Sequence, residues 1–288
     1  MKIHFLKIIV PIPFLFACFG YGQQIGAEKN NRIPVDLSHW KITIPEENPN
    51  NPGNPIEVGF PEIVDYANNP ILKKWMYTDE KDKSIVFFAF PSGTTTANSH
   101  FSRSELRETM EPGNNSVNWK FAQGGKLKAV YAMDAVSKEK DGQYSKVIIA
   151  QIHGRLTNQQ RDLIGQKDNN APPMLKIYWD NGKIRVKTKV LKNLNVSDKD
   201  ILHGAAWTDD EGTYFKEKVD FNPFTLEILV SDGKMELILN GTESLVYHDV
   251  NIKKWGVFEN YFKVGNYFQS KDPKAFAKVK IYDLIVTH

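Results

Sequence analysis

Short apolar segments that alternate every second residue, each closed by a turn signal, dominate this 288-residue chain. Residues 126–134 put Leu127, Ala129, Tyr131 and Met133 on one side. Residues 175–179 and 184–190 flank Asp180-Asn181-Gly182, and residues 226–230 and 235–239 flank Ser231-Asp232-Gly233. Both spacings are those of tight hairpins. Residues 85–90 and 278–287 read as further strands, while long helical periodicity is scarce; only residues 61–75 suggest a short helix or two. Many short strands joined by turns predict an all-β, antiparallel sandwich of jelly-roll type, with a concave cleft over one sheet. Hydrophobic residues make up 41% of the chain, enough for the large core such a sandwich needs.

The first residues read as a leader. Lys2 and Lys7 precede the apolar run 8–19, and Gly20-Tyr21-Gly22 offers small residues for cleavage before Gln23. The run is too short to span a bilayer, so no membrane-spanning segment is expected. The expected organisation is a signal peptide over 1–22, a polar tether over 23–32 and one domain over 33–288. The only cysteine, Cys18, lies in the leader, and Leu15-Phe16-Ala17-Cys18 also resembles a lipoprotein cleavage box. Export is expected by either route. A mature domain without Cys18 has no disulfide, no thiol nucleophile and no thiolate ligand. Removing Lys2 and Lys7 with no acids takes the net charge from +3 to +1. A near-neutral chain without a Lys/Arg run does not suggest a nucleic-acid partner.

Three segments carry an unusual polar face. In residues 261–269 alternation sets Tyr261, Lys263, Gly265, Tyr267 and Gln269 against Phe262, Val264, Asn266 and Phe268. The first set is too polar for a core and too aromatic for an ordinary solvated face. Arg103, Glu105 and Arg107 share one side of residues 102–108, as charges on a surface strand also would. Residues 146–153 alternate Ile148, Ala150 and Ile152 against Val147, Ile149, Gln151 and His153. A lone histidine ending such a strand is more often a hydrogen-bonded structural residue. Together the three faces supply Arg, Gln, His, Lys and Tyr. Arg and Gln can neutralise a carboxylate, His can take a proton near neutrality, and Tyr can give one. That set suits abstraction of a proton α to a carboxylate followed by β-elimination. It lacks the paired acids of glycoside hydrolysis and the ligand spacing of a metal site, so no metal or cofactor is expected.

The blocks Arg103-Ser104-Glu105-Leu106-Arg107, Gln151-Ile152-His153 and Tyr261-Phe262-Lys263-Val264-Gly265-Asn266-Tyr267-Phe268-Gln269 resemble the signatures of the family 7 polysaccharide lyases, chiefly alginate lyases. The likeness runs from about Pro34 to the end, with small departures such as Val264 where Ala is common. The resemblance implies a jelly roll that cleaves alginate, a 1,4-linked polymer of mannuronate and guluronate, into 4,5-unsaturated oligouronates. It implies that Arg103 and Gln151 neutralise the C5 carboxylate, that His153 is the base for guluronate, and that Tyr267 is the acid, or both base and acid for mannuronate. Glu105, Arg107, Lys263 and Gln269 would orient these groups or bind neighbouring uronates. Ile152 between Gln151 and His153 tends in this family to accompany activity on guluronate-containing blocks, although alternation points it away from the cleft. A monomer is expected. Two rivals stay open: a non-catalytic polyuronate-binding jelly roll, and a lyase for another polyuronate such as glucuronan. Lys183, Arg185, Lys187 and Lys189 form one face of a hairpin strand and read more readily as a solvated face than as a polyanion track. Trp179 and Trp207 could contact sugar rings or pack in the core. The connections 92–100, 154–171 and 193–212 are candidate rims, the last two long enough to suggest lids.

Overall fold

The computed structural model describes residues 35–96 and 99–288. The expected leader, Cys18 and the tether lie outside the described residues. The strands in chain order begin with β1 (Trp40–Glu47), β2 (Pro55–Val58), β3 (Met76–Thr78), β4 (Ile85–Ala89), β5 (Arg103–Glu108) and β6 (Trp119–Lys120). There follow β7 (Gly125–Val136), β8 (Val147–Arg155), helix α1 (Asn158–Ile164), β9 (Asn170–Asp180), β10 (Lys183–Leu191), β11 (Trp207–Asp209) and β12 (Thr213–Lys218). The last are β13 (Phe224–Ser231), β14 (Lys234–Leu239), β15 (Glu243–Tyr247), helix α2 (Val250–Trp255), β16 (Glu259–Phe268) and β17 (Ala277–Thr287).

Both predicted hairpins form. Asn181 and Gly182 take positive φ values of 52° and 82° between β9 and β10, the backbone a tight two-residue turn requires. Gly233 does the same between β13 and β14. Residues 61–75 form one short 3₁₀ turn, Glu62–Asp65, and otherwise only turns.

Two antiparallel sheets result, the two layers of a jelly-roll sandwich. One runs β11-β10-β9-β8-β16-β5-β1-β2, with β12 beside β10 and β6 beside β16. The other runs β15-β14-β13-β7-β17-β4-β3. Between them lies the apolar side of each alternation: Leu127, Ala129, Tyr131 and Met133 from β7, and Phe262, Val264 and Phe268 from β16. Each large side chain so buried is worth about 1.5–3 kcal/mol. Asn266 is the polar exception on that side. Its Nδ2 donates to Phe87 O at 3.0 Å and Ala277 O at 2.8 Å, so a buried amide ties β16 to backbone carbonyls of β4 and β17. Trp179 and Trp207 are core residues, each donating its indole N–H to a backbone carbonyl. Among the described residues no helix is long and apolar enough to cross a membrane.

The expected alternation of β8 needs correcting. Its pairing slips between Ile148 and Ala150 against β9, and between the same residues against Val264 and Tyr267 of β16. A bulge of this kind turns two successive side chains to one side. Val147, Ile149, Ala150 and Ile152 all join the core cluster, and Ile148 does not; it stands opposite Tyr178 and Tyr267 instead. Gln151 and His153 keep their expected side.

Candidate active site

The three polar-faced strands are neighbours in the order β8-β16-β5. Residues directly opposite on an antiparallel pair share a face, so register alone fixes what meets what. Arg103 lies opposite Tyr267, Glu105 opposite Gly265, Arg107 opposite Lys263, Lys263 opposite Gln151, and Tyr261 opposite His153. All eight residues expected at the site belong to this face or its end.

Glu105 is the centre. It is fully buried, and three donors converge on it: Arg103 Nη1 at 2.9 Å, Lys263 Nζ at 2.5 Å and Gln151 Nε2 at 2.5 Å. Burial alone would raise its carboxyl, but Lys263 and Arg103 outweigh burial and hold it below the usual range. Gly265 makes the space. Its φ is +129°, and a Cβ there would come within 2.8 Å of Ser104 O and 3.2 Å of Glu105 Cα. Lys263 is itself sealed. Burial and the adjacent Arg103 push its ammonium down to about 8, against the pull of Glu105.

The two arginines differ in what is left of them. Among the described residues the Arg103 side chain makes one hydrogen bond, to Glu105, and its guanidinium lies over the Tyr267 ring at 3.8 Å. Arg107 is committed. Its Nη1 donates to Glu108 O at 2.7 Å, and its Nη2 to Asn115 O at 3.1 Å and Asn118 Oδ1 at 2.9 Å. Its guanidinium lies over the Tyr261 ring at 4.1 Å. Arg103 retains N–H groups for a ligand anion, and Arg107 is built into the wall.

His153 and Tyr267 stand at opposite ends of the Glu105 cluster. His153 Nδ1 is 3.0 Å from Gly154 O and 3.1 Å from the Tyr261 hydroxyl, and the two rings stack at 5.2 Å with an 11° tilt. Burial, then the charges of Lys263 and Arg103, depress the imidazole to about 3, so it is neutral at working pH. Beside it opens a pocket lined by Gln166, Lys167, Asp168 and Gly204, which brings both long connections to the histidine end. Helix α1 in the first of them is fixed by a reciprocal Thr157–Gln160 cap and a left-handed Gly165. Past Tyr267, whose ring meets Phe101 edge-on, Gln269 lines a second pocket with Lys146, Asp180, Tyr214 and Lys271. Gln269 Nε2 donates to Tyr267 O at 3.1 Å.

Register also reveals residues the sequence reading passed over. Lys187, Lys176, Gln151, Lys263, Arg107 and Lys41 form one row across six strands. The hairpin lysines are therefore continuous with the site. Asp209 sits between Lys176 and Lys189, the latter at 2.7 Å. At the other edge Glu57 takes Lys41 at 2.6 Å and Thr43 at 3.2 Å. Tyr178 lies opposite Ile148 and Arg185, and burial raises its phenol further with Asp209 near. Alternation of Lys176, Tyr178 and Asp180 in β9 was the signal available for Lys176 and Tyr178; β2, four residues long, gave none for Glu57.

The chain matches known proteins closely enough to give the face a lineage. A family model described as alginate lyase matches residues 35–288. Among solved structures the chain is similar to alginate lyase A1-II′, described as a member of polysaccharide lyase family-7, with 28% identity, 88% of this chain and 96% of that one covered, and a TM-score of 0.68. A substituted form of A1-II′ in complex with substrate (GGMG) aligns at 28% identity over 88% of this chain and 94% of that one, with a TM-score of 0.67. The alginate lyase from Pseudomonas aeruginosa shares the fold at 24% identity, with 88% and 99% covered and a TM-score of 0.63. A search of curated proteins gave no match. The matched span takes in every strand of the polar face, and it makes this chain a member of the alginate lyase family, family 7 of the polysaccharide lyases.

Proposed function

We infer that the protein depolymerises alginate by β-elimination at 1,4-linked uronates, favouring guluronate-containing blocks and releasing oligomers with a 4,5-unsaturated end. Arg103 and Gln151 receive the C5 carboxylate of the uronate being cleaved. Lys263 and Glu105 orient them, and Arg107 supports the wall. His153 Nε2 takes the C5 proton. The electron pair of the C5–H bond moves first onto the carboxylate and then into the C4–C5 double bond, as the C4–O bond breaks. Tyr267 gives its hydroxyl proton to the departing oxygen.

The observation that carries this reading is the position of His153 and Tyr267 at the two ends of one cationic cluster. Guluronate presents its C5 proton and its leaving oxygen on opposite sides, so a base and an acid that approach from opposite ends fit it. Mannuronate presents both on one side, which leaves Tyr267 to do both tasks. Fixed donors aimed at the charge that grows on the carboxylate are worth ~3–4 kcal/mol each. The A1-II′ complex with GGMG supports a mixed uronate oligomer as the ligand class. Export through residues 1–22 belongs to the same reading, since the polymer is too large to enter a cell.

The test is ultraviolet absorbance of the new conjugated uronate during incubation with polyguluronate, polymannuronate and glucuronan. A rise on the first two, larger on polyguluronate, is expected. No rise on any polymer, with binding retained, would leave a polyuronate-binding module; a rise on glucuronan alone would move the substrate. His153→Ala is expected to remove at least ~100-fold of guluronate turnover, and Tyr267→Phe to stop turnover on both polymers with the fold intact.

A further inference from the structure

Tyr261 lies in the site but neither gives nor takes a proton in the elimination. Its surroundings are specific. Its ring stacks on His153 from β8 and carries the Arg107 guanidinium from β5 at 4.1 Å, so it stands between residues of the strands on either side of its own. Arg107 is immobilised by its three bonds to Glu108 O, Asn115 O and Asn118 Oδ1. The imidazole thus rests on a ring that itself meets a fastened guanidinium.

The hydrogen bonds decide the tautomer. Gly154 O can only accept, and it lies 3.0 Å from Nδ1. Nδ1 of the neutral ring must therefore carry the proton. The Tyr261 oxygen lies 3.1 Å from the same nitrogen, on the ring stacked against the imidazole. Nε2 keeps its lone pair, and a C5 proton can be received there and nowhere else on the ring. Burial raises the Tyr261 phenol, so it stays neutral and does not draw the Nδ1 proton away as a phenolate would.

We propose that Tyr261, backed by Arg107, is the positioning residue that holds the His153 ring where its Nδ1–H reaches Gly154 O and its Nε2 faces the cleft, and so sets the ratio of guluronate to mannuronate cleavage. The proposal rests on His153 serving as base for guluronate only. The mannuronate route runs through Tyr267, which lies opposite Arg103 at the other end of the cluster and touches neither Tyr261 nor Arg107 among its described ring contacts. Loosening the stack should therefore damage one route more than the other.

The experiment pairs Tyr261→Phe, which keeps the stack and removes the hydroxyl, with Tyr261→Leu, which removes both. kcat and KM are measured separately on oligoguluronate and oligomannuronate. In parallel, nitrogen-15 spectra of histidine-labelled protein report the ring tautomer, with the His153 signals assigned by their loss in His153→Asn. In the native protein His153 is expected as the Nδ1–H form. In Tyr261→Leu the two nitrogens should move toward the averaged positions of an exchanging ring, and the guluronate-to-mannuronate ratio of kcat should fall roughly tenfold, the scale of losing one oriented hydrogen bond. KM should change little. Tyr261→Phe should lie between, and it remains informative if the leucine variant does not fold. Equal losses on both substrates, or unchanged His153 signals in both variants, would overturn the proposal. A native protein inactive on every uronate polymer would sink the elimination reading instead, while the spectra would still decide whether Tyr261 holds the ring.

Discussion

Arg103 and Arg107 sit four residues apart on one strand and one face, yet Arg103 keeps more of its five donors in reserve. The difference comes from what surrounds each: a shared carboxylate for Arg103, and two carbonyls and an amide for Arg107. A sequence cannot tell such residues apart, because the loop supplying Asn115 and Asn118 is remote from any pattern in β5. Two other side chains set the expected pH profile. His153 is held neutral far below its ordinary value, so it contributes no acid limb near pH 6.5 to kcat/KM. Lys263 is charged below about 8 and neutral above it, so the cationic cluster weakens as pH rises through that value. Activity is expected to be flat on the acid side as far as these two groups decide it, and to fall through about pH 8. Lys263→Arg, which keeps the charge, should shift that fall to higher pH if it tolerates the longer side chain. A rate that rises through the same range would remove Lys263 from the electrostatics of the site.

At the scale of the strand, β16 and β5 were legible because they pair without interruption from Lys263–Arg107 to Tyr267–Arg103. Strict alternation then sorts Phe262, Val264 and Phe268 inward and Tyr261, Lys263 and Tyr267 outward. β8 was not legible, because its bulge breaks the period of two and no residue in Ile148-Ile149-Ala150 marks the slip. Gln151 and His153 were placed correctly only because both lie on the far side of it. Gly265 carries a prediction at this scale. With φ of +129° and Ser104 O 2.8 Å from any added Cβ, Gly265→Ala must move β5 or rotate β16 beside Glu105. A loss of roughly 2–3 kcal/mol is expected from denaturant unfolding, together with loss of activity through the displaced Glu105. Native stability in that variant would mean the two strands have slack that the register does not suggest.

The 288-residue chain carries a net charge of only +3, yet its polar face is a concentration of cations. Their partners, Glu57, Glu105 and Asp209, offset only part of that charge. A polyanion is thus attracted by a local field rather than by net charge, and a field of that kind is screened over about 8 Å at physiological ionic strength. KM for alginate is expected to rise several-fold between ~0.05 and ~0.5 M salt with kcat less affected; a KM indifferent to salt would mean the outer lysines do not meet the polymer. The basic row itself has a further consequence. Because it runs perpendicular to the strands, each strand contributes a single mark, about 4.8 Å from the next. The sheet thus carries an evenly stepped transverse stripe, and exchanging Lys176 or Lys187 would change one step while the others keep their spacing.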